Sequence, residues 1–534
     1  MNRDDLTSSQ LEVVEATEPL VLVLGGAGSG KTTTALWAGR EHLDRPDTPP
    51  TQRVLFVTFS RTAVGQIARR AGAVFAGVGE RIEIHTFHAL AYRLVRAFGR
   101  YAGHGTIPPR IESEARKKLL GRDRALLSYD ELLPTAASIL ASKRISALIA
   151  ARWGLVICDE FQDTNDFQWG LLQTVSGSAR LLLLADPNQM IYTFIPTVGA
   201  VRLDDARARA DRVVDLEEVP HRDPSGVIPA MARAVRRRSF DDPAVAHAVD
   251  TGMLRVCTAT QADLCDRLLA ELRRLRTCGC GSVGIFETTN AGAAMLGADL
   301  TERGVAHTLI GLPEAHGEAI LAMATMTAFG LRARSFEDVR RQLAVFLTAA
   351  TRTPRAPPVA VQLLNNTVQN RPLQQRLGDL EAALGEAEDF DTLVGVSATA
   401  WDNLGIGAGG PVWRRAAASF AALARQTAAT NTKQEALADD LEAATEQLRT
   451  EALITEEPIR ARVQVMNFHQ TKGREADGVI LIYREAGFVT RWDAREPFAE
   501  ASRVLYVALT RARSHVTVVL PPVPHALIAP FART

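Results

Sequence analysis

The chain has 534 residues, which is longer than a single hydrophobic core usually extends, so we expect two to four domains. Its 61 basic and 61 acidic residues give a formal net charge of zero, which argues against a protein that coats nucleic acid with its whole surface but leaves binding in one cleft open. The composition is that of a globular protein, and no apolar run reaches the roughly 18 residues of a membrane span.

The N-terminal stretch "MNRDDLTSSQ" is polar and has no apolar segment typical of a secretory signal, so we expect a cytoplasmic protein without a membrane partner. Four of the five cysteines fall within one stretch, which leaves two interpretations: a zinc or iron–sulfur site, or reduced thiols beside the turn "TCGCGS". Their spacing matches none of the usual ligand pairs, so the sequence favours thiols. These cysteines are Cys257, Cys265, Cys278 and Cys280.

The first 310 residues repeat one pattern, in which a short apolar strand is followed by a turn and an amphipathic helix. This alternation predicts two α/β units with mostly parallel sheets. The first set of predicted strands covers residues 19–26, 53–60, 81–87, 154–160 and 180–186. The second set covers residues 212–219, 254–259, 282–288 and 306–311.

Two mainly helical stretches interrupt the alternation, and strands return after the second one at 462–468, 477–483 and 514–520. The second sheet is therefore expected to be completed from the C-terminal part of the chain. The predicted domain bounds are 1–93 with 151–211 for the first unit, 94–150 for its insertion, 212–314 with 458–534 for the second unit, and 315–457 for its insertion.

The stretch "GGAGSGKTTT" at 25–34 follows a predicted strand and opens a predicted helix, which is the context of a phosphate-binding loop. Glycines let backbone N–H groups approach phosphates, Lys31 reaches the β and γ oxygens, and the Thr32 hydroxyl is a ligand for Mg²⁺. A glycine-rich turn with a surface lysine is the weaker alternative. The predicted nucleotide contacts are Gly25, Gly26, Ala27, Gly28, Ser29, Gly30, Lys31, Thr32 and Thr33.

A second motif, "LVICDEFQDTN" at 155–165, ends an apolar strand in two adjacent carboxylates. Successive side chains of a strand point to opposite sides, so the two acids can have different roles. We expect Asp159 to hold Mg²⁺ and Glu160 to orient and deprotonate the attacking water. A kinase transfers a phosphoryl group to a hydroxyl and does not need the second acid, so the pair favours hydrolysis. Two solvated carboxylates at a strand end are the weaker alternative.

With these motifs the chain resembles superfamily 1 helicases of the UvrD/Rep/PcrA type, in a compact form. The likeness runs through almost every motif of the family, in order, from residue 10 to residue 513, and only the two helical insertions lie outside it. The resemblance implies an α/β fold with two RecA-like P-loop motor domains, each carrying a mainly helical insertion. It also implies ATP and Mg²⁺ as cofactors, and single-stranded DNA and single/double-strand junctions as partners.

The resemblance implies further nucleotide contacts. Gln10 would read the adenine edge, Arg222 of "HRDPSG" would contact the γ-phosphate, and Glu475 would face the nucleotide. Gln189 would sense the γ-phosphate, and Arg511 of "ALTRAR" would be a second arginine finger. The family usually encloses adenine between a tyrosine and a basic side chain, where this chain has His221 and Thr33, so we expect looser adenine binding.

The resemblance also implies a path for single-stranded DNA. The stretch "LLLLADPNQMIYTFIPT" at 181–197 would place Asp186 and Gln189 on the nucleotide side and two aromatic rings on the DNA side. Those rings stack on bases in this interpretation, although aromatics at such positions are also common in cores. The predicted DNA contacts are Thr58, Phe59, Thr86, Phe87, His88, Tyr192, Phe194, His469 and Lys472.

The leading hypothesis is an ATP-dependent DNA helicase or translocase that moves 3′ to 5′, as the resemblance implies. The alternative is a DNA-activated ATPase that acts as a sensor or regulatory subunit beside a separate nuclease, as in Gabija-like phage defence, with little unwinding of its own. We expect no fused nuclease domain, so a nuclease or repair partner would be a separate protein. A P-loop kinase does not account for the acid and arginine motifs.

Overall fold

The computed structural model of the chain describes most of its length. The described residues are 3–59, 61–102, 111–121, 126–177, 179–191, 197–217, 223, 225–310, 313–351, 353, 355–430, 434–454, 462–484 and 496–533.

Short runs of leucine and β-branched residues form the strands, and longer amphipathic segments form the helices that connect them. The strands are β1 Leu20–Leu24, β2 Arg53–Thr58, β3 Ile82–Thr86, β4 Ile111–Glu112, β5 Leu127–Ser128, β6 Trp153–Cys158, β7 Arg180–Ala185, β8 Arg212–Asp215, β9 Leu254–Thr258, β10 Val283–Glu287, β11 His307–Leu309, β12 Val463–Asn467, β13 Ala476–Ile482 and β14 Ala512–Leu520.

The α-helices between these strands are α1 Ser8–Glu15, α2 Lys31–Asp44, α3 Arg61–Val74, α4 Phe87–Phe98, α5 Glu114–Leu120, α6 Leu132–Leu140, α7 Lys143–Ala150, α8 Asp166–Ser176, α9 Ala200–Arg209, α10 Val227–Arg236, α11 Pro243–Asp250, α12 Leu264–Thr277, α13 Asn290–Glu302, α14 Pro313–Gly330, α15 Phe336–Thr351, α16 Pro358–Asn365, α17 Arg371–Gly385, α18 Phe390–Leu404, α19 Gly410–Thr430, α20 Gln434–Ile454 and α21 Ala499–Leu509.

The first sheet has six strands in the order β3-β2-β6-β7-β1-β8, and the pairs between them are parallel. Its central strands have helices on both sides, so they are continuous apolar runs, and all six residues of β6 are buried. The predicted α/β fold class with parallel sheets is therefore confirmed. In a parallel sheet the carboxyl ends of the strands share one edge, which brings the ends of β1, β2, β6 and β7 close together.

One predicted strand belongs to the other sheet. We assigned the strand beginning at residue 212 to the second set, but β8 pairs in parallel with β1, with Val213 opposite Leu22. It is the edge strand of the first sheet, and alternation along the sequence cannot tell which sheet a strand joins. The predicted boundary between residues 211 and 212 therefore precedes a strand of the first sheet.

The second sheet combines strands from both sides of the long helical insertion. Its strands β12, β10, β13, β14 and β9 lie in that order, and the pairs among them are parallel. Three of these strands, β12 to β14, follow residue 461. The prediction that the C-terminal part of the chain completes this sheet is confirmed.

Contacts divide the chain into two compact units. The first contains the described residues within 1–104, 132–289 and 461–534, and so holds the first sheet and strands β9, β10, β12, β13 and β14 of the second. The second contains those within 105–131 and 290–460, and most of it is helical. Its core is built around Phe346, whose ring lies edge-on to Trp401 and Trp413 with centroids 4.5 and 5.0 Å away.

Buried charges hold a short piece of the first insertion inside the helical unit. The backbone N–H of Ala115 in α5 donates to Glu314 at 2.6 Å, and Arg116 lies 3.4 Å from Glu318. Arg449 of α20 contacts the same Glu318 at 3.3 Å, and both of these side chains are almost completely buried. Because a buried charge is costly unless it is paired, Arg116 and Arg449 stabilise Glu318, and the contact with Arg116 joins α5 to this group. The predicted domain bounds otherwise stay a prediction.

The first insertion also contains a feature that its sequence did not predict. Strands β4 and β5 have two residues each and pair in parallel, with Ile111 opposite Leu127. Two residues are too few to show an alternating pattern, so this pair was interpreted as part of a helical stretch.

The cysteine stretch does not form a metal cluster in the part of the chain that the structure describes, where no three His, Cys, Asp or Glu side chains are placed to hold an ion. Cys265 and Cys280 are buried, and the Cys280 sulfur lies 3.6 Å from His515 Nδ1.

Among the described residues, no single helix is long and apolar enough to cross a membrane. One bent pair, residues 129–140 with 143–150, passes that test by length and composition only.

His42, in the last turn of α2, is 7% exposed and packs against the start of β6, where a Cβ on Gly154 would lie 2.4 Å from its Nε2 atom. Burial and the nearby charges of Arg180 and Arg45 lower the pKa of His42 to about 4, from 6.5. The imidazole is therefore neutral in the folded chain at neutral pH.

We predict that acidification destabilises the fold through His42. As the pH falls from about 6.5 toward about 4, the unfolded chain binds a proton at His42 that the folded chain does not, so this part of the stability is lost. Urea denaturation across this range should show a smaller loss for His42→Gln than for the wild type. The same change at exposed His247 is the control, and an identical loss in all three proteins would contradict the prediction.

Candidate active site

The phosphate-binding stretch predicted at 25–34 forms the loop between β1 and α2 and the first turn of α2. Gly28 and Gly30 have φ angles of 87° and 82°, a left-handed conformation that glycine adopts without steric cost. Helix α2 begins at Lys31, so its free N–H groups and its positive end lie at the loop. A Cβ on Gly25 would lie 2.4 Å from the Ser29 hydroxyl. The loop thus has the backbone geometry that an anion site requires.

Lys31 lies over this loop. Its ammonium donates to the carbonyl oxygens of Gly25 and Gly26 at 2.7 and 2.8 Å and lies 3.8 Å from the carboxylate of Asp186. The side chain is 12% exposed, so the charge is held at the loop and not in bulk solvent. An incoming phosphate would therefore meet a cation that is already in place.

Thr32 and Asp159 form an oxygen pair beside the loop. The Thr32 hydroxyl donates to Asp159 at 3.4 Å, and Asp159 is 8% exposed at the end of β6. Burial and the neighbouring charge of Glu160 raise the pKa of Asp159 to about 6. A hydroxyl and a carboxylate are ligands that Mg²⁺ prefers, and a divalent cation would offset the buried negative charge. The donor set fits Mg²⁺.

Glu160 follows in a left-handed conformation, with φ 56° and ψ 38°, which costs a side-chain-bearing residue on the order of 1–3 kcal/mol. Its Oε2 atom accepts a hydrogen bond from Gln162 at 2.7 Å and lies 3.1 Å from the ammonium of Lys472. Burial alone would raise the pKa of Glu160, but Lys472 and Lys31 outweigh it and the pKa is lowered. The carboxylate is therefore ionised and able to accept a proton.

Lys472 comes from the second sheet, one residue after the turn Phe468–Thr471. It is 4% exposed and contacts three acceptors, the carboxylates of Glu160 and Asp163 and the Gln189 carbonyl oxygen, the last at 3.1 Å. An ammonium enclosed in this way does not face a strand of DNA. We therefore withdraw the predicted DNA contact of Lys472 and assign Lys472 to the cluster that it forms with Glu160 and Asp163.

The end of β7 carries a second chain of contacts. Gln189 donates to Asp186 at 2.6 Å and accepts at 3.1 Å from Arg511, which follows α21. Arg511 is 2% exposed, and its Nε is held by the Val507 carbonyl at 2.9 Å. The predicted sensor amide and the predicted arginine finger thus touch each other, and Asp186 joins them to Lys31.

Gln10 lies behind the loop and not at an open edge. Its amide oxygen accepts from the Thr7 N–H at 3.0 Å in the N-terminal cap of α1, and its Nε2 donates to the Ser29 carbonyl at 3.0 Å. The side chain is 1% exposed. The structure therefore shows Gln10 fixing the loop, and its reading of adenine stays a prediction.

Two further predicted nucleotide contacts, Glu475 and Thr33, lie in the described part of the chain. Glu475 pairs with Arg513 at 3.2 Å and lies 3.9 Å from Arg70, and its contact with the nucleotide stays a prediction. Thr33 lies in the first turn of α2. The predicted residues Tyr192, Phe194, His221 and Arg222 lie outside the described residues.

The predicted DNA contacts of the first sheet are only partly accessible. Thr86 uses its hydroxyl to cap α4, accepting from the Ala89 N–H at 3.1 Å. Phe87 is 1% exposed, and a base cannot stack on a ring in the core, so we withdraw Phe87 from the strand path. Thr58 is completely buried at the end of β2. Phe59, His88 and His469 are partly exposed, and their roles stay predictions.

Two residues of this site were missed at the sequence level. Gln162 and Asp163 follow the acid pair in "DEFQD" and are both buried, Gln162 against Glu160 and Asp163 against Lys472. The sequence signal for these two residues is an amide and a third acid within four residues of Glu160, the predicted general base. Sequence spacing does not show that they turn back toward Glu160, because that depends on the left-handed residue.

Comparison with known proteins agrees with this geometry. Residues 10–195, which include the loop and the acid pair, match the family described as AAA domain. Residues 416–520, which include Lys472 and Arg511, match the UvrD-like helicase C-terminal domain. These matches support the resemblance of the chain to UvrD/Rep/PcrA-like helicases. Both halves of the site thus lie within the two matched segments.

Relatives of this UvrD-like chain differ in how much they cover. It is 24% identical to ATP-dependent DNA helicase UvrD2 of Mycobacterium tuberculosis strain H37Rv, over 96% of this chain and 78% of the relative. It is 25% identical to DNA helicase II of Salmonella typhimurium strain LT2, over 35% of this chain and 34% of the relative. It is 41% identical to RecBCD enzyme subunit RecB of Mycolicibacterium smegmatis, over 16% and 8%.

The match thus spans about a third of the length of helicase II. Among solved structures, the Pif1 helicase from Candida albicans aligns with a TM-score of 0.30 and 14% identity, over 51% of this chain and 54% of that one.

We predict that Gln189 and Arg511 act as a unit in this UvrD-like site. Because their side chains are 3.1 Å apart, replacing both with alanine should cost less in kcat/KM for nucleotide hydrolysis than the two single losses added together. The expected coupling is about 0.5–3 kcal/mol. As the control, Gln168→Ala, whose amide caps α8, should combine additively with Arg511→Ala. Additive losses for Gln189 and Arg511 would contradict the prediction.

Proposed function

We propose that the chain hydrolyses ATP with Mg²⁺ and uses the hydrolysis to move along single-stranded DNA and to separate strands. One observation carries the proposal. Glu160 follows Asp159, which pairs with Thr32, and a network of contacts joins this site to Lys472 and Arg511 from the second sheet. A site built from two RecA-like sheets can respond to a nucleotide by changing how they contact each other.

In the proposed reaction, the loop N–H groups and Lys31 bind the phosphates. Thr32 and Asp159 would hold Mg²⁺, which when bound neutralises charge on the phosphate oxygens. Glu160 orients the attacking water and accepts its proton at Oε1, because Oε2 is held by Gln162 and Lys472. Arg511 stabilises the charge that develops on the leaving phosphates.

Coupling to DNA follows from the contact between Gln189 and Arg511. Loss of the γ-phosphate changes what both side chains bind, so the equilibrium between two arrangements of the sheets shifts. Base stacking contributes roughly 1–3 kcal/mol per base, and opening one duplex step costs roughly 1.4 kcal/mol, so a moving aromatic platform is energetically sufficient. We infer 3′ to 5′ movement from the family resemblance of the "DEFQDTN" and "NQMIYTF" stretches.

The similarity to a RecBCD subunit supports the proposal that the chain works beside other proteins, such as a nuclease or a repair partner. A cytoplasmic location stays a prediction from the polar N-terminal stretch. The competing function, a DNA-activated ATPase without strand separation, is an outcome of the unwinding test below.

We predict that Glu160→Gln removes turnover and keeps nucleotide binding. The amide cannot accept the proton of the attacking water, so kcat should fall by about 10²–10⁴-fold. Binding of a fluorescent ATP analogue should change little, because Lys31 and the loop are intact. Glu381→Gln, an exposed glutamate of α17, is the matched control and should hydrolyse ATP at the wild-type rate. Hydrolysis by Glu160→Gln near the wild-type rate would refute the role of Glu160.

We predict that purified protein unwinds a forked duplex in the presence of ATP and Mg²⁺. Strand displacement should require a 3′ overhang and should disappear in Glu160→Gln. Displacement from a 5′ overhang alone would contradict the proposed polarity. DNA-stimulated hydrolysis without displacement on either fork would contradict the helicase function and favour the sensor.

A further inference from the structure

Gln162 lies in the short turn Phe161–Asp163, directly after Glu160, and is completely buried. Its amide nitrogen donates to Glu160 Oε2 at 2.7 Å. Its amide oxygen accepts from the backbone N–H of Asp186 at 3.1 Å. One side chain therefore connects the end of β6, which carries the acid pair, to the end of β7, which leads to Gln189.

The backbone of Gln162 is fixed as well. Its carbonyl oxygen accepts from the Gly199 N–H at 2.9 Å, at the start of α9. A buried amide held at the backbone and at both ends of its side chain has no freedom to swing away. Its hydrogen-bond donor is therefore a fixed point in the site.

The position of this donor decides which carboxylate oxygen of Glu160 is available. Gln162 and Lys472 both contact Oε2, and within the described part of the chain no hydrogen bond reaches Oε1. The left-handed backbone of Glu160 carries its carboxylate out of the strand direction, and that conformation persists only if surrounding contacts maintain it. Gln162 supplies the shortest of these side-chain contacts.

We propose that Gln162 is a positioning residue for hydrolysis, whose amide holds Oε2 of Glu160 so that Oε1 faces the attacking water. The inference rests on the proposed function, because it concerns the same hydrolytic site. Gln162 does not touch the nucleotide in this account, and it acts through Glu160.

Position 162 requires a side chain that both donates and accepts a hydrogen bond, as an amide does. An ionised glutamate at 162 has no hydrogen to donate, and it would place a second negative charge 2.7 Å from Oε2. Methionine has a similar length, but it neither donates to Glu160 nor accepts from Asp186. Both changes remove the constraint on Glu160, whereas Lys31 and the residues of the loop are retained.

The test compares Gln162→Glu and Gln162→Met with the wild type in DNA-stimulated and basal ATPase assays. Both variants should lower kcat by about 10–100-fold, the usual cost of losing a residue that orients a catalytic group. KM and the affinity for a fluorescent ATP analogue should stay within about twofold. The reduction should be the same in the basal and the stimulated reaction, because Glu160 serves both.

Gln168→Glu is the matched control. Gln168 is also a buried amide, 3% exposed, but it serves the N-terminal cap of α8, where a glutamate can accept the same N–H bond. It should keep the wild-type kcat. Thermal unfolding of all variants separates a catalytic loss from a folding defect, since a folded Gln162→Met with low kcat supports the inference.

Three results would overturn the inference: wild-type kcat in both folded Gln162 variants, a loss of nucleotide affinity equal to the loss of kcat, or a loss confined to the DNA-stimulated reaction. Failure of the proposed function has a different signature. If the wild-type chain itself hydrolyses no ATP, then the proposed function fails, whereas normal hydrolysis by the wild type and by Gln162→Met rejects only the positioning role.

Discussion

The site depends on the contact of one buried ammonium with two acidic side chains, buried Asp163 and partly exposed Glu160. Lys472 from the second sheet lies between Glu160 and Asp163, which follow the first sheet's β6. A buried ammonium left without a partner costs several kcal/mol, so these two acids stabilise Lys472 in its position. The contact therefore keeps Glu160 ionised and at the same time binds the second sheet to the catalytic edge of the first.

This constraint explains why the catalytic groups form one connected set. Glu160 is joined to Asp186 through Gln162, Asp186 to Arg511 through Gln189, and Asp186 lies near Lys31. A change at the phosphate loop consequently reaches groups on both sheets within a few contacts. Coupling between a nucleotide and a strand requires a two-state element of this kind, which both ligands can bias.

The sequence predicted most of the first sheet and the centre of the site, because both depend on local patterns. Apolar runs of five or six residues gave the strands, and a glycine loop between a strand and a helix placed Lys31 and Thr32. The sequence did not predict which sheet β8 joins, because strand pairing is a long-range property. The motifs also led us to predict DNA contacts for Phe87 and Lys472, because a motif shows which residues are present but not how deeply they are buried. Gln162 was missed because its contact with Glu160 depends on the left-handed backbone conformation of Glu160.

The central claim is that ATP is hydrolysed by groups from both motor sheets around one nucleotide. A structure of the chain with a non-hydrolysable ATP analogue, Mg²⁺ and a short single-stranded oligonucleotide tests it most directly. We expect the γ-phosphate to lie between Lys31 and Arg511, with Glu160 Oε1 facing it. A nucleotide bound to the Lys31 loop while Arg511 faces a different crevice would contradict the account.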